Sequence, residues 1–340
     1  MINSIIIYSI LNFLLLFLCA KISYKLNLVD IPNKRKIHSY AIANTGGLAI
    51  SVILLFALQL FELFDFSNQN LNMILSIAFL ISIVGFIDDK YNLNAGGKLS
   101  LQIIPIFYLI VFENITLTHI GEYGYFKLEL GAFKIPFTLF CVLLLINTFN
   151  YFDGMDGILS FASISVLAIL YFLISDENIR LLFIIISIPI GFFLLFNFSF
   201  LNLPKLFLGD GGSLLLGFII SFILIFLANQ NFIHPILLAW SIAIFVYEFL
   251  SLNLIRIKNK EDPFRAGQDH LHHMLFNKTN SIFFTNFLIS LGNIFLFIIG
   301  YLSFVFINPL TSFILFILIF LIFLILRNKY SKNKIKIKII

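Results

Sequence analysis

The sequence predicts an all-α, polytopic integral membrane protein, a bundle of about eleven transmembrane helices. Three observations predict it. Sixty per cent of the 340 residues are apolar, 44 of them Phe, and only 11% are charged. Mean hydropathy is +1.03. Long uncharged runs recur along the whole chain, many near the roughly 20 residues that cross a bilayer as a helix.

The runs fall at 4–22, 45–63, 71–87, 99–113, 134–150, 158–175, 180–198, 212–229, 235–255, 283–306 and 310–326. The first has no basic flank before it and no small-residue cleavage site, so it reads as a retained helix. Between 114 and 134, ITLTHI and YFKLEL alternate around GEYG, which predicts a surface hairpin with a structural role. Cys19 and Cys141 lie inside spans and read as small packing residues without a disulfide framework. No repeat and no second soluble domain is visible. The chain reads as one membrane-embedded domain, 1–340, ending in a basic tail at 327–340.

Eleven spans place the termini on opposite sides. Of the 22 Lys and Arg, nineteen fall on the side of the C-terminus, and Lys127, Lys134 and Arg180 fall on the other. Basic loops stay cytoplasmic, so the N-terminus is expected outside and the C-terminus inside, in the inner (plasma) membrane. The net charge of +5 is a topology signal. Nucleic-acid binding is a poor reading, because the basic residues are spread over membrane-flanking loops.

That orientation does not depend on the acidic residues, yet it gathers four polar segments on the cytoplasmic face. Carboxylates beside membrane spans are costly and mark function, and clustered oxygens suit a hard cation holding phosphates. GFIDDKYNL carries Asp88 and Asp89, which read as a metal or general-base site or as a solvated helix end. Lys98 follows as a phosphate-facing charge or a snorkelling interfacial lysine. In NTFNYFDGMDG, Asn147 and Asn150 are three apart, as are Asp153 and Asp156, so each pair shares a face if helical. A plain polar turn is the alternative. FLGDGGS puts Asp210 and Ser213 at a helix start, a place for phosphate or for an ordinary N-cap. Phe207 just before it could stack on a base or pack in lipid. The loop ending DHLHH holds His270, His272 and His273 near Arg256 and Arg265. Such closely spaced histidines without cysteine suit phosphate binding or proton transfer better than zinc.

DIPNKRKIH, GFIDDKYNL, NTFNYFDGMDG, FLGDGGS and DHLHH occur in that order between Asp30 and Leu275. Together they resemble the polyprenyl-phosphate N-acetylhexosamine-1-phosphate transferases of glycosyltransferase family 4. The resemblance implies a cytoplasmic active-site cleft and a Mg²⁺-dependent transfer (Mn²⁺ being the alternative ion). The sugar-1-phosphate of a UDP-N-acetylhexosamine would pass to a polyprenyl phosphate, releasing UMP. It also implies roles: Asp210 as metal ligand with Asn150 as a second; Asp88 and Asp89 at the lipid phosphate; Asp153, Asp156 and Phe207 in the nucleotide region. Lys98, Asn147 and Arg256 join the substrate-binding set, and His270, His272 and His273 lie by the diphosphate and sugar. His-x-His-His after Pro-Phe resembles the undecaprenyl-phosphate GlcNAc-1-phosphate transferase-like branch, which starts O-antigen, teichoic-acid and related glycans. The branch with three consecutive histidines, the phospho-N-acetylmuramoyl-pentapeptide transferases, is the alternative; a transporter or flippase is a remoter one. Membrane lipid is an expected partner, and a homodimer is compatible with the pattern. The chain departs from the family at Ala43 for proline, at Glu248 for aspartate, and in a longer 197–207 stretch.

Overall fold

The computed structural model describes the chain except Met1, 33–39, 64–67, 263–266, Gln268 and 339–340. Its helices follow the apolar runs. They are α1 Ile2–Lys25, α2 Gly46–Leu63, α3 Gln69–Tyr91, α4 Ala95–Val111, α5 Lys134–Phe152, α6 Ile158–Leu173 and α7 Glu177–Asn197. After these come α8 Gly209–Asn229, α9 Pro235–Ser241, α10 Ala243–Lys258, α11 Leu271–Thr279, α12 Ile282–Phe306 and α13 Pro309–Lys338. Side-chain oxygens set several starts. Asn68, Asn94, Asp176 and Ser281 each accept the amide three residues on, ahead of α3, α4, α7 and α12.

Seven of these helices are long and apolar enough to cross a membrane, or eight if the bent pair α9–α10 is one span. Apolar stretches at 46–58, 96–111 and 158–173 are shorter. The protein is therefore multi-pass; length and composition do not establish the expected eleven crossings. The expected hairpin is present: β3 His119–Glu122 pairs antiparallel with β4 Lys127–Glu129. A second small ladder joins β1 Val29–Asp30 to β2 Ile42–Ala43.

Two expectations change. The run 235–255 is not one helix: α9 and α10 meet at 74°. Asn293 of α12, fully buried, answers the polar backbone the break exposes. Its amide donates to Ser241 O at 2.7 Å, and its oxygen accepts the Ile244 amide at 3.4 Å. Non-helical backbone at membrane depth survives only with such partners. The loop between the runs 235–255 and 283–306 contains α11, which carries His272 and His273. Besides these two, the basic segment 327–338 is helical as the end of α13.

The core is organised around α8. Every residue from Gly211 to Ala228 is buried, because α2, α3 and α5 pack around it. A helix apolar on all sides belongs inside a bundle. Close approach is permitted by missing side chains. A Cβ on Gly47 would run into the backbone of Gly211 and Gly212, and one on Gly85 into that of Asp210 and Gly211. Pro189 in α7 cannot donate to the Ile185 carbonyl; Tyr8 of α1 donates its hydroxyl there instead, at 3.2 Å. The outer helices face lipid. On α13, Ile314, Ile317, Leu318, Leu321, Ile322 and Ile325 are all exposed.

Candidate active site

The start of α8 is fixed by two strands of loop and one carboxylate. Ala43 and Leu206 form a parallel bridge, and Phe207 N donates to Ala43 O at 2.8 Å. Gly46 N and Gly47 N donate to Phe207 O and Leu208 O at 2.9 and 2.8 Å. Gly209 turns the chain at φ +71°. Asp89 then accepts the Asp210 and Gly211 amides at 3.2 and 3.4 Å. A carboxylate at a helix N-terminus satisfies orphan donors and meets the positive end of the helix dipole. Asp89 is thus occupied with the backbone that presents Asp210.

Asp88, one residue back on α3, accepts the Leu93 amide at 2.9 Å, just beyond the left-handed Asn92 that ends the helix. Its other oxygen meets Lys98 Nζ at 2.6 Å. Lys98 reaches over from the first turn of α4 and also pairs with Asp210. The Asn150 oxygen lies 3.4 Å from the same ammonium. The Asn150 amide donates to Asp210 Oδ1 and to Ser213 Oγ, both at 2.9 Å. Four helices, α3, α4, α5 and α8, therefore deliver one polar cluster: Asp88, Asp89, Lys98, Asn150, Asp210 and Ser213. Lys98 therefore points inward, onto these carboxylates. The Asn147 amide, one turn earlier on α5, donates back to Leu143 O at 2.7 Å.

The turn after α5 extends the site. Asp153 caps α5. Burial, then the carboxylates of Asp210, Asp89 and Asp156, push its carboxyl well above the ordinary range. Asp156 pairs with Lys205 at 2.6 Å, and the Lys205 ammonium lies 5.5 Å from the centre of the Phe207 ring. Asn286 of α12 donates to Asp156 O at 2.7 Å.

The histidines stand against this turn. A Cβ on Gly154 would strike the His272 ring. His270 and His272 stack with ring centres 5.4 Å apart, and His272 and His273 lie at 4.2 Å. His270 also meets Tyr151 edge-on at 5.7 Å. Burial holds the His270 imidazole down at about 4 and His272 well below the usual value, with neighbouring histidines adding to the effect. Burial thus favours the neutral imidazole at both. Both ring nitrogens of His272 are buried without a hydrogen-bond partner among the described residues. Arg256, 1% exposed, is gripped in two-pronged fashion by Asp269 at 2.8 and 3.1 Å. That guanidinium holds Asp269 below the usual carboxylate range against its burial. Pro263, Phe264 and Arg265 lie outside the described residues.

Sequence reasoning missed Lys205, Asp269 and Arg327 as site neighbours. Lys205 had a signal, being the only Lys or Arg between Arg180 and Arg256. Arg327 had none, since it opens a basic run.

Residues 71–228, which contain the acidic cluster, match the family described as Glycosyl transferase family 4. Over 273 residues the chain is 31% identical to the undecaprenyl-phosphate alpha-N-acetylglucosaminyl 1-phosphate transferase of Escherichia coli O157:H7, covering 77% of this chain and 72% of that one. The chain belongs to glycosyl transferase family 4. The protein of the same name from Yersinia pestis is 30% identical over 76% of this chain and 72% of its own. That of Pasteurella multocida is 31% identical over 81% and 78%. Family membership makes this chain an enzyme, and the five motifs quoted from its sequence lie within a multi-pass membrane member of that family.

The donor set also bears on metal binding. Among the described residues, no three His, Cys, Asp or Glu side chains converge as a metal cage. Asp88, Asp210 and the Asn150 oxygen do meet on one ammonium. These are hard oxygen donors. Mg²⁺ ordinarily takes one or two carboxylates, with water and phosphate completing its shell, so these residues fit that ion.

Proposed function

We propose that this enzyme transfers an N-acetylhexosamine-1-phosphate from a UDP-sugar to undecaprenyl or a related polyprenyl phosphate. UMP is released, and the step is the first membrane step of a cell-surface glycan such as O-antigen, teichoic acid or capsule. The carrying observation is the convergence of Asp88, Lys98, Asn150 and Asp210 at the buried start of α8, with Asp156–Lys205 and the histidine segment flanking one turn. The names of the relatives support the same transfer.

In the reaction, a lipid phosphate oxygen forms a bond to the sugar-bearing phosphorus, and the bond to the UMP oxygen breaks. No proton need leave the lipid phosphate, which is already ionised. The protein's task is therefore to hold two anions in line and offset their charge. Asp210 and Asn150 would hold Mg²⁺, with Asp88 beside them. When bound, the ion supplies charge neutralisation at the diphosphate. Lys98 then turns from its carboxylates toward phosphate. Phe207 and Lys205, against Asp156, form the nucleotide side, with Asp153 next to them. His270, His272 and His273, backed by Arg256, take the diphosphate and sugar. Asp89 keeps the α8 amides and Asp210 in place. The distribution of Lys and Arg supports a cytoplasmic site with the N-terminus outside.

The test is UMP release by purified protein given undecaprenyl phosphate and each of a panel of UDP-N-acetylhexosamines, with and without Mg²⁺. Release that needs both substrates and the ion is expected. UDP-sugar hydrolysis without lipid, or no release with any of the panel, would overturn the reading.

A further inference from the structure

Glu248 of α10 and Arg327 of α13 form an ion pair with 2% and 6% of their side chains exposed. Each has a second contact, and both contacts lead to one place. Glu248 Oε1 accepts the Leu271 amide at 2.9 Å and lies 3.8 Å from His270 Nδ1. Arg327 Nη2 donates to Asp269 O at 2.8 Å. Three successive residues, 269, 270 and 271, are thus held by two helices, at the point where α11 begins. Asp269 in turn grips Arg256, two helical turns beyond Glu248 on α10.

A buried ion pair is a poor way to stabilise a fold, because desolvation offsets much of the attraction and a hydrophobic pair serves as well or better. α13 had that choice: it is apolar and largely lipid-facing along its span. What the charged pair adds is direction. Its spare donor and acceptor fix the main chain that aims His270 and His272 toward the turn at Gly154.

We propose that Glu248 and Arg327 are positioning residues of the histidine segment, with the last helix setting where that segment stands in the UDP-sugar site. The proposal rests on the reading of that segment as the diphosphate and sugar holder. Neither residue needs to touch substrate.

The experiment uses the full-length purified protein, with UDP-N-acetylglucosamine and undecaprenyl phosphate as probes. Wild-type UMP release establishes the underlying reading first. Arg327→Met is then expected to raise the KM for the UDP-sugar by about tenfold or more, with the KM for the lipid largely unchanged. The double variant Glu248→Gln/Arg327→Met removes both charges and leaves neither unpaired. It is expected to regain the wild-type melting temperature while keeping the raised KM, because Asp269 O still lacks its donor. Arg327→Lys, keeping the charge and one donor, is expected to recover part of the KM. Hydrogen exchange of residues 269–276 needs no turnover, so it tests the positioning even where UMP release fails. Those amides should exchange faster in Arg327→Met, with α8 unchanged. The proposal is overturned if the double variant regains wild-type KM together with its melting temperature, or if exchange at 269–276 is the same in wild type and Arg327→Met.

Discussion

Gly47 and Gly191 are both glycines within helices, and the structure predicts opposite outcomes for the same substitution. A Cβ at Gly47 would overlap the Gly212 amide nitrogen and Cα and the Gly211 carbonyl carbon. These are backbone atoms of a buried helix, so no rotamer change relieves the clash and α2 must move away from α8. Overpacking of this kind costs about 1–3 kcal/mol. The displaced element is the start of α8, which carries Asp210 and receives the Asp89 carboxylate. A shift on the order of 1 Å there costs about 10²-fold in rate. A Cβ at Gly191 meets nothing within 4 Å. Alanine there removes unfolded-state freedom and is expected to stabilise by roughly 0.5–1 kcal/mol. The assay is thermal unfolding in detergent together with UMP release at one temperature. Gly47→Ala should melt lower and lose most activity, and Gly191→Ala should melt at or above wild type with activity kept. A Gly47→Ala protein as stable and as active as Gly191→Ala would refute the close α2–α8 approach.

Asp210→Asn should leave the fold intact and lower turnover by about 10²–10³-fold, because the isosteric amide lacks the charge that opposes Lys98 and would attract Mg²⁺; near-normal turnover at saturating Mg²⁺ would reduce Asp210 to a helix-start residue. Asp88→Asn should lower the maximal rate more than it weakens UDP-sugar binding, and the opposite pattern in steady-state kinetics would move Asp88 to the nucleotide. His270 gives a pH dependence. Its folded value, about 4, lies below its ordinary 6.5, so its contribution is complete above pH 6.5. As pH falls through that window the unfolded chain takes up the proton first, and the fold loses up to roughly 3 kcal/mol. The melting temperature between pH 7 and 5 should therefore fall less steeply in His270→Asn than in wild type. A reporter fused after Ile340 should read cytoplasmic and one within 119–125 external, and an external reading at the C-terminus would sink the charge-based orientation.

Helix positions were legible because apolar run length and polar punctuation act locally. The pairing of Asp88 and Asp210 through Lys98 was not, because 112 residues separate Lys98 from Asp210 and nothing local records that distance. The break in 235–255 was illegible for a related reason. Nothing around the break at Ser241–Ile242 interrupts the apolar run with Gly or Pro, and the side chain that makes the break tolerable, Asn293, lies 52 residues from Ser241. Asp89 shows the limit most clearly. Its motif gives Asp88 and Asp89 one reading, while the α8 amides and the Asn44 side chain that Asp89 meets come from elsewhere in the chain. Only the fold tells the two neighbours apart.

Charge balance links the cluster to its substrates. Asp88, Asp89, Asp153, Asp156 and Asp210 gather around the start of α8 and the turn after α5. Among the described residues, Lys98 and Lys205 are the cations recorded against them, and both are already paired. Arg256 and Arg327 are committed to Asp269 and Glu248. Among the described residues five carboxyl groups face two ammonium groups, and that excess of acid works against a diphosphate and a lipid phosphate alike. Releasing Lys98 toward phosphate would leave Asp88 and Asp210 as two uncompensated carboxylates in a partly buried place, which is costly. A divalent cation removes both difficulties at once, taking the carboxylates and attracting the phosphates. The charge balance of these residues would thus suit a divalent cation such as the Mg²⁺ proposed above. It also predicts that UDP-sugar binding and Mg²⁺ binding strengthen one another, which calorimetric titration of either in the presence of the other would measure. Equal UDP-sugar affinity with and without the ion would break this argument.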